Sequence, residues 1–521
     1  MKKVHIPTFI ILGVSIFSAS VASPDMANAI QCYWSGLFVI LILTYSIICI
    51  CFKKYQLSVL SKDKIMNTVC LLGVLEILYA ILQLVGFAPD NYKYSYFSGS
   101  LNNPAIFGML LSFCLPISVY YAIQKEGRIR VLWELLALLY GVFIVLSDSR
   151  TAILASVCGI VVILFTELVS LQNLFRSQCL RCIVLIGIAA ICIGLYYYKQ
   201  DSADGRLLIW TVCMEMIKEK PWFGWGFDGY IAQYMNYQAD YMNAYPKSPF
   251  ILLAGETQNP FNEILYIAIL YGVPCAVVFT GMIVFLVWFI KSRVNAFKSI
   301  LLSTVCVLIV WCLFSYPFNI SFVWLIILFV ILCLVPNEIR LYRPKICLGV
   351  VLALSMCTLY LLGASATHDF RKLYVQESSV HWSYNQIVET YESMYNDYNE
   401  DPIFLYNYGA LLHLHGDYLR SLEVFQQGTK YLSDYNMMLL MGDDYQKLER
   451  YEEAIACYRR AGEMIPSRYL PLYYQMKLYQ ENGDLEESHR IAHKILKKEN
   501  KIKKSKITQQ VIKEASECLR Y

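Results

Sequence analysis

Over roughly the first two thirds of the chain, apolar residues arrive in long unbroken blocks rather than in the period of a surface helix or a half-buried strand. About twenty apolar residues in helical form cross the hydrocarbon core of a bilayer. On that rule the blocks predict eleven spans, at about 4–23, 33–52, 65–87, 104–124, 130–147, 151–170, 180–198, 263–290, 299–316, 318–336 and 346–365. Near Thr367 the pattern changes, and the rest of the chain is charged, tyrosine-rich and amphipathic. A long polar interruption, 199–260, separates the seventh and eighth blocks. The predicted fold class is all-α: a polytopic helical membrane bundle over 1–365 that includes the polar loop, then a soluble helical domain over 366–521.

The soluble part repeats itself with a period of 34 residues or nearly so. Gly442, Tyr445, Ala454, Tyr458, Ala461 and Pro466 stand at tetratricopeptide spacing. Gly409, Leu412, Gly416, Tyr418, Ser421 and Phe425 precede them, and Tyr479, Gly483, Leu485 and Ser488 follow. This places repeats at about 402–434, 435–468 and 469–502, with helical flanks at 370–398 and 503–521. Small residues let paired helices approach, aromatics fill the gaps, and each unit buries its face only against a neighbour. Such an α-solenoid serves either as a platform for a protein partner or as a stabilising cap or dimerisation surface.

Charge then orients the spans. Lysine and arginine collect in the loops holding Lys2/Lys3, Lys53/Lys54/Lys62/Lys64, Lys125/Arg128/Arg130, Arg176/Arg181, Lys291/Arg293/Lys298 and Arg340/Arg343/Lys345. The alternate loop 24–32 has none, and 88–103 has only Lys93. The positive-inside rule makes the first set cytoplasmic. The loop 199–260 and the C-terminal domain then face the other way, into the periplasm for a bacterial inner membrane. The basic start and apolar run to Ser23 fit a cleaved signal peptide or an uncleaved first span, and Pro24 favours the latter.

With 57% apolar residues in 521, the composition excludes an ordinary soluble globule. A net charge of +4 is too small and dispersed to point to nucleic acid. Most of the 18 cysteines lie in apolar blocks as small hydrophobes. Cys179 and Cys182 form a single CxxC without a second pair, which argues against a metal or redox site, and no disulfide framework is implied.

Four polar segments fall at the periplasmic ends of spans. They are Ser98-Gly99-Ser100-Leu101-Asn102-Asn103-Pro104 with Phe107-Gly108; Ser147-Asp148-Ser149-Arg150-Thr151-Ala152; Gly205-Arg206, Trp210 and Lys220-Pro221-Trp222-Phe223-Gly224-Trp225-Gly226; and Gln258-Asn259-Pro260-Phe261-Asn262-Glu263 with Leu265 and Gly272. In this order, with the long loop between spans seven and eight, they resemble the O-antigen ligase and polymerase superfamily, which includes the bacterial protein O-oligosaccharyltransferases. The resemblance covers about 95–290. It implies a membrane glycosyltransferase that inverts the anomeric carbon without metal or other cofactor. The implied donor is a glycan on undecaprenyl diphosphate, and the acceptor is a hydroxyl of lipid A-core, of a growing glycan or of a protein. The family's diphosphate contacts map to Arg150 and Arg206.

Arginine suits that role, because it meets phosphate bidentately and stays charged. An arginine at a span end is costly unless it meets an anion or a wet cavity. The competing readings are an Arg150–Asp148 salt bridge or snorkelling, and a solvated loop charge for Arg206. The periplasmic loops show no carboxylate cluster of metal-binding character.

The chain departs from the family at Phe261, where many members carry a histidine thought to engage the acceptor. No histidine stands between His5 and His368. A carboxylate can take the acceptor proton instead. Glu263 beside Asn262 is the first candidate for catalysis, ahead of Glu256 and Asp228, and its alternative role is that of an acid in a helix's first turn. The reaction could also run on departure of the diphosphate alone. Asp148, Trp210, Trp225, Asp228 and Glu256 are candidate substrate contacts.

Gly224-Trp225-Gly226 reads as a tight turn, since no strand precedes it and no Lys-Ser/Thr follows. Tyr230, Tyr234, Tyr237, Tyr241 and Tyr245 share one face if helical, which suits an interfacial aromatic belt or, less well, sugar stacking. Two other classes stay open: a transporter or flippase of lipid-linked sugar, whose charges belong at the bilayer midplane, and a non-catalytic scaffold.

Overall fold

The computed structural model describes residues 29–30, 33–34, 36–37, 40, 62–88, 97–168, 178–294, 297–334, 344–498 and 505–520. The predicted first span, most of the second, and the loop cations Lys2, Lys3, Lys53, Lys54, Lys93, Arg176, Arg340 and Arg343 lie outside the described residues. Within them all regular structure is helical. The helices are α1 (Lys62–Leu84), α2 (Pro104–Gln124), α3 (Gly127–Leu146), α4 (Arg150–Glu167), α5 (Gln178–Tyr198), α6 (Gln200–Glu219), α7 (Gly229–Ala244), α8 (Glu263–Tyr271), α9 (Val273–Arg293), α10 (Lys298–Phe314) and α11 (Ser321–Leu334). They continue with α12 (Pro344–Ser378), α13 (Tyr384–Tyr398), α14 (Pro402–Leu414), α15 (Tyr418–Gly428), α16 (Tyr435–Lys447), α17 (Tyr451–Met464), α18 (Leu470–Glu481), α19 (Leu485–Lys497) and α20 (Lys506–Cys518). Five are long and apolar enough to cross a bilayer: Met66–Leu84 within α1, then α2, α3, α4 and α9. The protein is therefore a multi-pass membrane protein.

Two expected spans take a different form. The block 263–290 is two helices, α8 and α9, separated at Gly272, whose φ is +89°. A Cβ there would lie 2.1 Å from the Trp222 carbonyl oxygen, so the break comes from a backbone fifty positions earlier. The block 346–365 is part of the 35-residue α12, which runs on to Ser378. Its helical hydrogen bonding does not stop where the apolar composition stops.

The chain divides into two compact units. The first is formed by Met1–Tyr197 and Gly281–Leu373. Its centre is α2, apolar on all sides and buried along most of its length, with α1, α3, α4 and α10 packed around it. Lipid is as apolar as leucine, so such contacts rely on small residues and polar bonds. At Gly159 on α4 a Cβ would stand 2.7 Å from Pro116 and 2.8 Å from Val307. Beside it the Ser303 hydroxyl donates to the Gly159 carbonyl at 2.8 Å, and the Trp311 indole donates to Ser112 Oγ at 2.9 Å.

The second unit joins Tyr198–Thr280 to Tyr374–Tyr521. Its C-terminal part is a series of helix pairs, α14/α15, α16/α17 and α18/α19, each packed on the next, with α20 against α19. One device recurs 33 residues on, from 409 to 442 and from 425 to 458. A Cβ at Gly409 would lie 2.6 Å from the Phe425 ring, and one at Gly442 would lie 2.4 Å from the Tyr458 ring. The loop helix α7 packs on α17: Tyr230, Tyr234, Met235 and Ala239 share a core with Tyr435, Ala461, Met464 and Ile465.

Candidate functional site

Two of the four polar segments meet in the second unit. Asn262 sits in extended conformation before α8, and its Oδ1 accepts from the Ile264 and Leu265 amides at 3.0 and 3.1 Å. An asparagine before an apolar helix does this readily, because it satisfies amides that have no intrahelical partner. The cap places Glu263 in the first turn with only 4% of its surface exposed, near the positive end of the helix dipole. The preceding Phe261 is forced into the left-handed region, with φ of +53°. Its ring turns to Arg206 on α6, whose guanidinium carbon stands 5.3 Å from the ring centre. One turn further along α6, the Trp210 indole donates to the Pro260 carbonyl at 2.9 Å. Asp228, exposed before α7, and Glu263 both act electrostatically on the Tyr266 hydroxyl. Arg206, Trp210, Phe261, Asn262, Glu263 and Asp228 thus form one neighbourhood.

The turn after α6 is fastened to the end of α8. The Trp225 and Gly226 amides donate to the Ile269 and Leu270 carbonyls at 2.7 and 3.0 Å, and the Val273 amide donates to the Pro221 carbonyl at 2.7 Å. The Ile269 and Leu270 carbonyls belong to the last turn of α8, where helix acceptors lack internal partners. Gly224 is required: its φ is +67°, and a Cβ would lie 2.5 Å from the Ile269 oxygen. The expected tight turn is present, with Gly226 also left-handed. Trp225 is engaged structurally. Its indole donates to the Met216 carbonyl at 3.0 Å, Lys220 Nζ lies 3.8 Å from its ring centre, and the Tyr237 ring meets it edge-on at 5.7 Å.

The first two segments meet in the first unit. Asn103 Oδ1 caps α2, accepting from the Ala105 amide at 2.8 Å. Gly108 lets α2 approach the turn before α4, since a Cβ would stand 2.8 Å from Ser147 Oγ and 3.0 Å from the Ala152 Cβ. In that turn Asp148 is left-handed, with φ of +55°, and Ser149 Oγ accepts from the Ala152 amide at 3.3 Å. Arg150 then starts α4, half-buried, and its Nη1 donates to the Leu195 carbonyl at 3.0 Å. The exposed Asp148 carboxylate acts on it electrostatically.

Sequence reasoning missed the groups that hold the first segment. Glu76 and Gln83 on α1 are both buried. The Glu76 carboxylate accepts from the Ser100 amide at 2.9 Å and from the Ser100 hydroxyl, and Gln83 Oε1 accepts from the Ser98 and Gly99 amides at 3.1 and 2.9 Å. The available signal was two polar side chains seven positions apart, on one face of an apolar span.

The tyrosine stripe of α7 serves neither of its expected roles over its first two members. Tyr230 and Tyr234 are 1% exposed and stack on each other at 4.9 Å inside the second unit's core. Glu256 is acted on electrostatically by Asp434 and Arg468. Burial and the Asp434 carboxylate raise its pKa, and Arg468 opposes them. Among the described residues no group of three or more His, Cys, Asp and Glu side chains could hold a metal ion.

Residues 135–280 match the family model described as O-antigen ligase. The chain carries an O-antigen ligase domain. The matched segment runs from α3 into α9 and contains Arg150, Arg206, the glycine-rich turn and Phe261-Asn262-Glu263. The match supports a membrane glycosyltransferase-type ligase. The helix pairs of 402–498 lie beyond it. A comparison with curated proteins found no match.

Proposed function

We propose that this O-antigen ligase domain transfers a glycan from undecaprenyl diphosphate to an acceptor hydroxyl on the periplasmic face of a bacterial inner membrane. The observation that carries the reading is the neighbourhood of Arg206, Phe261 and Glu263 within the matched segment. The acceptor oxygen attacks the anomeric carbon opposite the diphosphate. The new C–O bond forms as the bond to phosphate oxygen breaks, and the configuration inverts. Negative charge grows on the departing diphosphate, which Arg150 and Arg206 neutralise as planar, permanently charged donors. Phe261, standing where many relatives have histidine, acts through Arg206 by holding its guanidinium. Glu263 receives the acceptor proton, with Asn262 fixing its place through the cap. Asp148, Trp210 and Asp228 border the donor and acceptor, and no metal takes part. The helix pairs, read as tetratricopeptide repeats, favour a protein as acceptor or partner over lipid A-core or glycan.

The test is transfer by the purified protein in lipid, from labelled undecaprenyl-diphosphate glycan to candidate acceptors. Release of undecaprenyl diphosphate with labelling of an acceptor supports the reading. A flippase would move donor without releasing carrier, and a scaffold would do neither. Arg206→Ala and Arg150→Ala are each expected to lose about 2–5 kcal/mol of transition-state stabilisation with folding intact. Lysine at either position should restore activity only in part. Glu263→Gln should cost about 10²–10⁴-fold if the carboxylate is the base. Full activity in both alanine variants refutes the site.

A further inference from the structure

The turn between α6 and α7 carries three large side chains that stand mostly exposed. Trp222, Phe223 and Phe227 are 71%, 89% and 75% exposed. Their backbone is not loose, because the bonds to Ile269, Leu270 and Val273 fix it. The anchoring point decides what surrounds the rings. Val273, whose amide bonds the Pro221 carbonyl, is the first residue of the membrane-crossing helix α9. The exposed aromatics therefore stand at the mouth of a span whose own apolar side chains Val277 and Val278 are 64% and 62% exposed. The exposed ammonium of Lys220 lies alongside, over Trp225.

An aromatic cluster of this size is unfavourable in water and marks a contact surface. Tryptophan and other amphipathic rings settle at the boundary between headgroups and acyl chains, where a neighbouring lysine reaches lipid phosphates. We propose that Pro221–Phe227 is an interfacial wedge whose partner is the lipid bilayer itself, with Trp222, Phe223 and Phe227 inserted beside the start of α9 and Lys220 at the phosphates. The Trp225–Met216 bond couples the wedge to α6, which carries Arg206 and Trp210. The wedge thereby sets the height of those side chains above the bilayer. This inference requires that α9 spans the membrane and is independent of the transferase reading.

The test uses the full chain in nanodiscs of phosphatidylethanolamine and phosphatidylglycerol. Benzoyl-phenylalanine at 223 and 227 should form phospholipid adducts at both positions on irradiation, read by mass. Adducts only to protein, from a second copy or another chain, would overturn the wedge, as would no adduct at either position. Trp222→Phe provides a second measurement that preserves an aromatic ring. With lipid brominated near the glycerol end of its acyl chains, the variant should lose the quenchable emission of one of the nine tryptophans. An unchanged quenchable signal would also overturn it.

Discussion

Gln238→Leu tests whether the loop helix and the helix pairs fold as one unit. Gln238 is 1% exposed on α7. Its Nε2 donates to the Met464 carbonyl at 2.7 Å and to the Gly255 carbonyl at 3.2 Å, and its Oε1 accepts from the Tyr234 hydroxyl at 2.9 Å. Met464 closes α17, so its carbonyl has no partner inside the helix. Leucine keeps the volume and removes all three bonds. Each stranded buried group costs about 1–3 kcal/mol. Neighbouring losses add incompletely, so about 3–5 kcal/mol is expected for the set. An exposed ion pair in the same interface is the comparison. Arg460 Nη1 lies 2.6 Å from Asp240 Oδ1, with the Asp240 side chain 66% exposed. Such pairs contribute about 0.2–1 kcal/mol, so Asp240→Ala should have a small effect. Native-state hydrogen exchange reads both variants. At about 1.4 kcal/mol per decade, Gln238→Leu should speed exchange by about two to three and a half decades in α7 and α17 together. If Asp240→Ala does as much, or if α7 loosens while α17 keeps its protection, the reasoning is refuted.

Gly272→Ala should destabilise the α8–α9 junction strongly, because the new Cβ meets the Trp222 carbonyl at 2.1 Å and φ is positive; Gly281→Ala, with nothing within 4 Å, is the control and should gain about 0.5–1 kcal/mol. Thermal melts of the two variants in one detergent should move in opposite directions. His413 Nδ1 and Asp444 Oδ1 are 2.7 Å apart, and the folded pKa of each is raised: that of His413 first by its bond to Asp444, that of Asp444 first by burial. The folded state then holds more protons: the His413 contribution is full below the ordinary histidine value and is lost as pH rises through the raised one, while that of Asp444 is full only below the ordinary carboxylate value and is lost as pH rises through its own raised value. His413→Gln should flatten that part of the stability–pH curve, and an unchanged slope would exclude the pair as its source. Cysteines at Lys247 and Lys430, both exposed, should both react with a membrane-impermeant reagent from the periplasmic side; labelling at only one would break the proposed topology.

Elements that depend on neighbours in sequence were legible in sequence. The spans α1 to α4 were readable because lipid solvates a helix only if some twenty successive residues are apolar, which is a local property. The helix pairs were readable because Gly409 facing Phe425 and Gly442 facing Tyr458 are one packing solution repeated at a fixed interval. Asn262 as a cap for α8 follows from its place before an apolar run. Other features required partners distant in the chain. The break at Gly272 follows from the carbonyl of Trp222, so composition alone extended the helix through it. The period of Tyr230 and Tyr234 marks a shared face, but Tyr435 and Met464 on the other side of a shared core decide that the face is dry. Phe261 presents no charge or proton of its own. Only the fold brings its ring to Arg206, because a cation and an aromatic face attract at any sequence separation once packing sets them a few ångströms apart.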